Sequence, residues 1–421
     1  HQNHKKIKMS CNKTYLTEDF FVAGISYKNT DAATRGQFSI SFKQYGAILK
    51  LAPTYGVDEM FVISTCNRTE IYGFSKQASS MIKLLHSQSS GDYELLLQMA
   101  YIKNGIEAIT HLFRVGCGLD SQILGDYEIV NQLKLAVNFS RDHKFMGAFS
   151  ERLLSNVFQS SKKIKTETAL SNGSVSVSFS AARFIKENSN FSPLNKILVL
   201  GAGKIGRNTC KNLLGYFNPE NITVINRSIE KAANLAGELN INYADHEQLT
   251  AQIDESEIIL LATNSINPVI LKSHLLNKGK KIIIDLSVPC NVELGVNDLP
   301  NIRVVHVDQI SKLKDDNLKK RAAEVPKAIK IIDEQIKEFM LWHEMRKQVP
   351  VLKSIKTKLV EINHFPFFNS GTRENLFPSV SVETRIQDVI NSIATKMLGS
   401  NCKGCYYIEA INKFIMAEIK T

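Results

Sequence analysis

Four short and mainly apolar runs in the middle of the chain limit its fold more than any other feature. The runs are Ile197–Leu200, Ile222–Ile225, Ile258–Leu261 and Ile282–Asp285, and helix-sized stretches separate them. Strands that are apolar on successive residues are buried on both faces, as in a parallel sheet that helices cover on each side. The pattern therefore predicts a doubly covered α/β sheet in this segment.

A glycine-rich loop follows the first of these runs and predicts a dinucleotide site. The loop consists of Gly201, Ala202, Gly203, Lys204, Ile205 and Gly206. Between a strand and a helix, such glycines allow a tight turn and a close approach of the backbone to a pyrophosphate. The second run is followed by Asn226, Arg227 and Ser228, where an NAD site usually has an acidic residue. Arg227 suits a 2′-phosphate and favours NADPH; the alternative is a sheet that binds no nucleotide.

Two further segments flank this sheet. Up to about residue 165, strand candidates (Phe20–Ile25 and Glu59–Ser64) alternate with helix candidates (Phe42–Leu51 and Gly105–Gly116). From residue 315, apolar residues recur at steps of three and four and predict a long amphipathic helix of roughly 30 residues. We expect an α/β multidomain protein with an N-terminal α+β domain (1–165), a Rossmann-like NADP-binding domain (166–308), and a long helix leading to an α-helical domain (309–421).

Composition and cysteine usage narrow the class of protein. The formal charge of +11 over 421 residues suits an anionic partner, but the basic residues are dispersed and no RNA-recognition signature is present. No apolar stretch is as long as a membrane span, and residues 1–13 lack the apolar core of a signal peptide. Seven scattered cysteines fit reduced thiols in a cytoplasm. We expect a cytoplasmic protein without membrane, DNA or metal binding; the isolated Cys402–Cys405 pair does not make a metal site.

A second candidate site surrounds Cys66. The residues Thr65, Cys66, Asn67 and Arg68 follow the apolar run Met60–Ile63, so the thiol lies at the end of a predicted strand. Positive charge from Arg68 is expected to lower the thiol pKa and favour the nucleophilic thiolate. The alternative is a buried structural cysteine.

A cluster of polar side chains extends from His111 to Lys134. Gly118 and Gly125 bracket a loop rich in hydrogen-bonding side chains, which suits a polar pocket for a small zwitterion. His111 lies at the end of a helix-like stretch and, on spacing alone, fits a surface histidine equally well.

Taken together, these segments resemble the glutamyl-tRNA reductase family. The resemblance rests on motifs that occur in the order of the family between residues 20 and 345, and beyond them the chain matches only in general character. The motifs are Ser64–Glu70, Gly118–Ser121 with Ile123–Gly125, Lys165–Thr168, Val175–Ser178, Gly201–Lys204, Asn226–Arg227 and Asp285–Pro289.

The resemblance implies NADPH-dependent reduction of glutamyl-tRNA(Glu) to glutamate-1-semialdehyde, the first step of the five-carbon route to tetrapyrroles such as porphyrins and haem. It implies that Cys66 forms a thioester with the glutamyl group, that His111 assists proton transfer, and that Arg68 pairs bidentately with the substrate carboxylate. The implied substrate contacts are Thr65, Asn67, Arg68, Ser121, Asp126, Tyr127, Glu128 and Gln132. It also implies a homodimer formed through the long helix and the C-terminal region, with glutamate-1-semialdehyde aminomutase as a candidate partner.

The chain departs from the usual pattern of the family at three places. Gly125-Asp126-Tyr127-Glu128 stands where Gly-Glu-Pro-Gln is usual, which keeps a carboxylate but shortens it by one methylene. Ser26-Tyr27-Lys28 replaces Ser-His-Lys, and Val288-Pro289-Cys290 replaces Val-Pro-Arg. The first two changes alter the predicted pocket, and the third removes a positive charge near the nucleotide segment.

Two other functions remain compatible with the sequence. A thiol together with NADPH also suits reduction of a soluble acyl phosphate or thioester, which would proceed without tRNA. A non-catalytic protein that senses nucleotide, binds tRNA or acts as a scaffold would keep the fold but would not need Cys66.

Overall fold

The computed structural model describes residues 16–170, 176–188, 194–311, 318–363 and 382–397. The described chain divides into two compact units, one ending at Ile336 and the other beginning at Lys337. The Cys402–Cys405 pair lies outside the described residues. None of the helices in the described ranges is long and apolar enough to span a membrane.

An antiparallel sheet of four strands forms the centre of the N-terminal domain. The strands are β1 (Phe20–Ser26), β2 (Met60–Ser64), β3 (Arg68–Phe74) and β4 (Tyr101–Asn104). Their spatial order is β2-β3-β1-β4, and every neighbouring pair is antiparallel. The strands predicted from the alternating segments, Phe20–Ile25 and Glu59–Ser64, are therefore confirmed to within one residue.

Helices pack around this sheet and complete the α+β domain. They are α1 (Ala32–Gln37), α2 (Phe42–Leu51), α3 (Ala78–His86), α4 (Tyr93–Met99), α5 (Gly105–Gly116), α6 (Glu128–Asp142) and α7 (Ala148–Glu167). The bounds of α2 and α5 are those predicted from the sequence. The side chain of Ser41 accepts from the backbone of Gln44, and the Gln44 side chain returns to Ser41, so a capping box starts α2.

The second domain of the same unit contains the predicted parallel sheet. Its strands are β5 (Ile197–Leu200), β6 (Ile222–Ile225), β7 (Asn242–Ala244), β8 (Ile258–Leu261), β9 (Lys281–Asp285) and β10 (Ile302–His306). They run parallel in the order β10-β9-β8-β5-β6-β7. The four apolar runs became the four central strands, while β7 and β10 were not predicted because neither is a continuous apolar run.

Helices bury both faces of the parallel sheet, as its apolar strands require. They are α8 (Val177–Asn188), α9 (Lys204–Leu213), α10 (Ile229–Leu239), α11 (Leu249–Glu255) and α12 (Val307–Ser311). Along β5, Ile197 and Val199 pack with α8 and α9, whereas Leu198 and Leu200 pack on the opposite face with residues of α11. The fold class predicted from the sequence is confirmed for both domains.

The long predicted helix is present as α13 (Leu318–Asn363) and has 46 residues rather than roughly 30. Within the first unit its beginning packs near α7, where Lys163 pairs with Glu334 at 3.2 Å. In the second unit, Ile355 and Leu359 of α13 form a small apolar core with Ile386 and Ile390 of α14 (Val382–Met397).

Candidate active site

A tight turn between β2 and β3 holds Cys66. The backbone N–H of Thr65 donates to the carbonyl of Arg68 at 2.8 Å, so Cys66 and Asn67 occupy the two central positions of the turn. The Thr65 hydroxyl accepts from the N–H groups of Asn67 at 3.1 Å and Arg68 at 3.3 Å. The backbone N–H of Tyr27 donates to the Asn67 carbonyl at 2.8 Å, which fixes the turn to the end of β1. A half-buried thiol is thus held on rigid backbone.

Arg35 supports this turn and was not predicted from the sequence. Its side chain is 1 % exposed, and its Nε donates to the Cys66 carbonyl at 2.8 Å. One terminal nitrogen donates to the Thr30 carbonyl at 2.6 Å, and the other pairs with Asp308 of α12 at 2.5 Å. Gln122 donates to the same oxygen of Asp308 at 2.7 Å. Arg35 and Asp308 therefore join the thiol turn to the nucleotide-binding domain.

The expectation that Arg68 lowers the pKa of Cys66 is wrong. Burial raises the pKa of the Cys66 thiol to about 11, the charge of Asp126 raises it further, and Arg35 opposes these effects. The charges that chiefly act on the thiol are those of Asp126, Arg35 and Asp308, whereas Arg68 is fully buried and pairs with Glu70 at 2.7 Å. The thiol is therefore protonated at neutral pH until another group removes its proton.

The high thiol pKa predicts the pH dependence of alkylation. We expect the rate at which iodoacetamide labels Cys66 to rise about tenfold per pH unit from pH 7 to 10, because the thiolate fraction grows in that proportion below the pKa. Peptide mass spectrometry of the labelled protein measures the rate at Cys66 alone. A plateau below pH 8.5 would contradict the expectation, and the buried Cys117 serves as the unreactive control.

A buried network of charged and hydroxyl groups lies around Arg68. The Arg68 guanidinium is fully buried; one terminal nitrogen pairs with Glu70 at 2.7 Å, and the other donates to the Asp120 carbonyl. His111 Nε2 lies 3.0 Å from the same Glu70 oxygen, and its Nδ1 lies 3.7 Å from a carboxylate oxygen of Asp120. Nε of Arg68 has no hydrogen-bond partner among the described residues. Bidentate pairing of Arg68 with a substrate carboxylate, expected from the resemblance, stays a prediction.

Two tyrosines complete the network at Glu70. The hydroxyl of Tyr72 donates to one carboxylate oxygen at 2.5 Å, and the hydroxyl of Tyr101 donates to the other. Burial opposes ionisation of Glu70, but the charges of Arg68 and His111 outweigh it and hold the pKa of Glu70 well below its usual range. Glu70 was not predicted as a site residue, although its alternation with Arg68 along β3 was the available signal.

Several buried polar atoms near the turn lack a hydrogen-bond partner within the described part of the chain. They are Oδ1 of Asn67, Nε of Arg68 and Oε1 of Gln122. An unsatisfied buried group of this kind costs about 1–3 kcal/mol. Asn67 belongs to the thiol turn, Arg68 follows it, and Gln122 donates to the Asp308 carboxylate that Arg35 also binds.

The loop before α6 contains the other predicted substrate residues. The N–H of Gly125 donates to the Gly118 carbonyl at 2.9 Å and closes the loop, on which Ser121 lies half-buried. Asp126 accepts from the N–H of Glu128 at 2.9 Å, and burial raises the pKa of Asp126 to about 6. The charge of Asp126 also raises the pKa of Cys66, which shows that this loop and the thiol turn lie close together.

The three remaining predicted substrate residues, Tyr127, Glu128 and Gln132, have different surroundings. Tyr127 lies under the ammonium group of Lys165, at 5.7 Å from the ring centre. Glu128 pairs with Lys204 of the glycine-rich loop. Gln132 lines a small cavity of about 110 Å³ together with Tyr45, Ser64 and Leu135. Contacts thus connect Glu128 to the nucleotide segment, and no contact with the thiol is found for Gln132 among the described residues.

A pocket of about 940 Å³ at the carboxyl ends of the parallel strands fits a dinucleotide. Gly201 has φ +108°, and a Cβ there would lie 2.3 Å from the Ala262 carbonyl oxygen, so glycine is required. A Cβ on Gly203 would meet nothing within 4 Å, which leaves the loop open to a phosphate before the start of α9. The side chain of Asn226 accepts from Ala202 N–H at 3.1 Å and donates to the Ser228 carbonyl at 3.1 Å.

The predicted cofactor residues contribute to the pocket in different ways. Gly201, Gly203, Asn226, Arg227 and Ser228 line it. Ala202 anchors the loop by its hydrogen bond to Asn226, while Lys204, Ile205 and Gly206 start α9 behind the lining. Lining residues that the sequence did not identify are Lys231, His246, Thr263 and Ser265. Lys231 lies in the first turn of α10, four residues after Arg227, and this proximity was an available signal for a second cation.

Comparison with known proteins assigns the two domains. Residues 23–168 match the family described as glutamyl-tRNAGlu reductase, N-terminal domain, and residues 185–313 match shikimate / quinate 5-dehydrogenase. An NAD(P)-binding dehydrogenase domain joined to a thiol-bearing α+β domain defines a nucleotide-dependent oxidoreductase.

Relatives over the whole length identify the family. The chain is 44 % identical to glutamyl-tRNA reductase of Flavobacterium psychrophilum over 399 residues, which cover 94 % of this chain and 96 % of the relative. It is 43 % identical to that of Christiangramia forsetii over 340 residues, 81 % of each. Among solved structures, glutamyl-tRNA reductase from Methanopyrus kandleri aligns with 96 % of this chain and 100 % of its own, at 22 % identity and a TM-score of 0.48. The chain belongs to the glutamyl-tRNA reductase family.

Proposed function

We propose that this chain reduces glutamyl-tRNA(Glu) to glutamate-1-semialdehyde with NADPH and so begins tetrapyrrole biosynthesis. Membership of the family supports the reaction. The structural observation that carries it is the chain of contacts from the Cys66 carbonyl through Arg35 to Asp308, because it fixes a thiol to a nucleotide-binding domain. Reduction of an acyl group through a thioester needs both a thiol nucleophile and a bound nucleotide.

Cys66 is the proposed nucleophile. Its sulfur attacks the glutamyl carbonyl, the C–S bond forms, and the tRNA 3′ oxygen leaves, which gives a thioester more electrophilic than the ester. NADPH, when bound, supplies the hydride that reduces this thioester. The hemithioacetal then breaks its C–S bond, which releases the aldehyde and restores the thiol. Because the thiol and the nucleotide pocket belong to different domains, we expect the domains to close during reduction.

The thiol proton requires an acceptor because the pKa of Cys66 is about 11. We propose His111 for this transfer, assisted by the Glu70 carboxylate that is hydrogen-bonded to its ring and by the Asp120 carboxylate 3.7 Å from its other ring nitrogen. The raised pKa of Asp126, about 6, makes its carboxyl a second acceptor whose charge already acts on the thiol.

The unsatisfied atoms around the turn are the proposed contacts of the glutamyl group. Nε of Arg68 is a donor and suits a carboxylate oxygen, whereas Oδ1 of Asn67 and Oε1 of Gln122 are acceptors and suit the α-ammonium group. Thr65 and Ser121 border these atoms in the chain. In a bidentate pairing of Arg68 with the substrate carboxylate, Nε would supply one of the two hydrogen bonds.

The 3′ end of the tRNA is proposed to enter beside His111. A cleft of about 460 Å³ lies there, and its lining includes Lys28, Lys103 and Arg114. Three cations around one cleft suit the phosphates of a nucleic-acid strand. Transfer of the aldehyde to glutamate-1-semialdehyde aminomutase stays a prediction.

NADPH is the proposed form of the nucleotide. Arg227 and Lys231 are both exposed and line the same pocket, so two cations are available to a 2′-phosphate. We expect Arg227→Ala to raise the Kd for NADPH by at least about tenfold while changing that for NADH by less than twofold, since a charge-assisted hydrogen bond contributes about 1.5–3 kcal/mol. Fluorescence titration measures both constants.

A matched control separates this effect from a general loss of positive charge. Arg207→Ala removes a guanidinium in α9 that pairs with Glu238 outside the pocket lining. The control should leave both constants unchanged. An equal loss of NADH and NADPH affinity in Arg227→Ala would contradict the 2′-phosphate assignment.

A homodimer through the C-terminal region is also proposed. Leu341, Met345 and Val349 recur every four residues along α13, and each is between 44 % and 53 % exposed. Residues four apart lie on one helical face, so these side chains form an apolar stripe that suits a second copy of the helix. We expect Leu341→Lys with Val349→Lys to shift the protein from dimer to monomer in light scattering; a dimer that persists would exclude this stripe.

The test of the function is NADPH oxidation with purified glutamyl-tRNA, with free glutamate plus uncharged tRNA as the control. Turnover only with the charged tRNA supports the proposal. Oxidation with a soluble acyl phosphate or thioester and without tRNA would favour the first alternative. Tight NADPH binding without oxidation of any acyl donor would favour a non-catalytic protein.

A further inference from the structure

A group of three possible metal ligands lies at the carboxyl edge of the parallel sheet, and none of the three belongs to the lining of the nucleotide pocket. It consists of Asp285 at the end of β9, His306 at the end of β10, and Cys290 in the loop between them. One ligand atom of each residue lies within 4.8 Å of the others. This group could not be predicted from the sequence, because the spacing of its three residues follows no common metal-binding motif.

The sheet itself brings two of the three ligands together. Asp285 and His306 are direct partners in the parallel register of β9 and β10. The carboxylate of Asp285 accepts from the N–H groups of Ser287 at 2.9 Å and Asn291 at 2.7 Å, which folds the intervening loop back over the strand end. Cys290 Sγ consequently lies 3.9 Å from His306 Nδ1.

The donor set has the chemistry of a zinc-type site. Thiolate, imidazole and carboxylate are the ligands that zinc binds in proteins, and ligand atoms around a tetrahedral ion at bond lengths of about 2.0–2.3 Å lie roughly 3.2–3.8 Å apart. The Cys290–His306 separation of 3.9 Å is already close to this range, and the widest separation, at most 4.8 Å, needs to shrink by about 1 Å. Backbone hydrogen bonds hold the Asp285 carboxylate in place, as outer contacts commonly do for metal-binding carboxylates.

The surrounding charge also favours a cation. The carboxylates of Asp285, Asp308 and Asp31 act on Cys290, and Arg35 is the cation that opposes them. Cys290 stands where the family usually has an arginine, so a bound ion would return positive charge to a position from which this chain has lost it.

We propose that Asp285, Cys290 and His306 bind one divalent transition-metal ion of the zinc type, with the fourth position open to water. Binding forms the metal–sulfur bond and releases the thiol proton to solvent, with no change of oxidation state. The ion would lie next to α12, because His306 directly precedes that helix. Binding would therefore stabilise the end of β10 and the start of α12, where Asp308 contacts Arg35.

Cobalt(II) provides the test because its thiolate complexes absorb in the near ultraviolet. The full-length protein, freed of metal by chelation, is titrated with Co²⁺. We expect a thiolate-to-cobalt charge-transfer band that saturates at one equivalent and is lost on addition of Zn²⁺. Cys290→Ser should abolish the band, and His306→Asn should weaken Co²⁺ binding by more than the roughly 10–100-fold that loss of an outer contact costs.

Three controls make the result specific to this group. Cys66→Ser and the double change Cys402→Ser with Cys405→Ser should both keep the band, and Zn²⁺ should raise the Tm of the unaltered protein but not that of Cys290→Ser. The proposal is overturned if no band forms, if the band survives in Cys290→Ser, or if it disappears in either control. These readouts do not use turnover, so they are independent of the proposed reductase activity.

Discussion

Replacing Cys66 by serine is expected to abolish reduction of glutamyl-tRNA, by at least roughly 10³-fold in kcat, while the Kd for NADPH stays within about twofold. The serine keeps the two-residue turn, because the hydrogen bonds that define it come from Thr65, Asn67 and Arg68. It removes the sulfur that forms the thioester. Stopped-flow oxidation of NADPH and fluorescence titration measure the two quantities.

A second measurement follows the covalent step directly. With NADPH omitted, the unaltered protein should acquire a radiolabelled glutamyl group from glutamyl-tRNA, and peptide mapping should locate the label on Cys66. Cys117→Ala, which removes a buried thiol from the end of α5, is the control and should label normally. Full turnover in Cys66→Ser would remove Cys66 from the mechanism, while labelling at another residue would reassign the nucleophile.

Replacing Glu70 by glutamine is expected to lower the free energy of unfolding by about 3–5 kcal/mol, the usual cost of removing one partner of a buried ion pair. Arg68 would keep its charge in a fully buried position with only part of its pairing. The hydrogen bonds from Tyr72, Tyr101 and His111 would also lose their carboxylate acceptor. Urea unfolding measured by circular dichroism gives the change.

The control for this prediction is an exposed pair of the same type. Glu151→Gln breaks the ion pair with Arg141, both partly exposed to water, and should cost less than about 1 kcal/mol. Neither substitution changes Asp120, whose carboxylate lies 3.7 Å from the Arg68 guanidinium. A cost in Glu70→Gln no larger than in Glu151→Gln would mean that the network contributes little to stability.

The same network predicts the acid limb of the stability profile. The pKa of Glu70 in the folded chain lies well below that in the unfolded chain, so its stabilisation is present in full above about pH 4.5 and is lost as the pH falls towards the folded value. Glu70→Gln should therefore reduce the dependence of unfolding free energy on pH in this acid range.

Local sequence patterns predicted much of the fold. The four apolar runs identified the central strands because burial on both faces requires apolar side chains at every position. The glycine-rich loop identified the nucleotide pocket because its turn and its open phosphate side depend on residues adjacent in the chain. The helix candidates Phe42–Leu51 and Gly105–Gly116 matched the bounds of α2 and α5. Domain boundaries at 165 and 308 stay predictions.

The orientation and partners of the side chains in the site could not be predicted from local patterns. Arg68 was expected to lower the pKa of the Cys66 thiol because it is two residues away, but it is buried in an ion pair with Glu70, and the pKa of the thiol is raised. Arg35, Asp308 and Gln122 lie far apart in the sequence, and no periodicity connects them. Asp285, Cys290 and His306 became neighbours only through the register of β9 and β10.

The sequence by itself determined the two domain folds, the position of the thiol at a strand end and the nucleotide loop, because each depends on interactions between residues close along the chain. The tertiary structure alone decided the protonation of that thiol, the partners of Arg68 and the join between thiol turn and nucleotide domain. Those properties depend on burial and on charges brought together from distant segments, and both arise only when the sheets and helices pack.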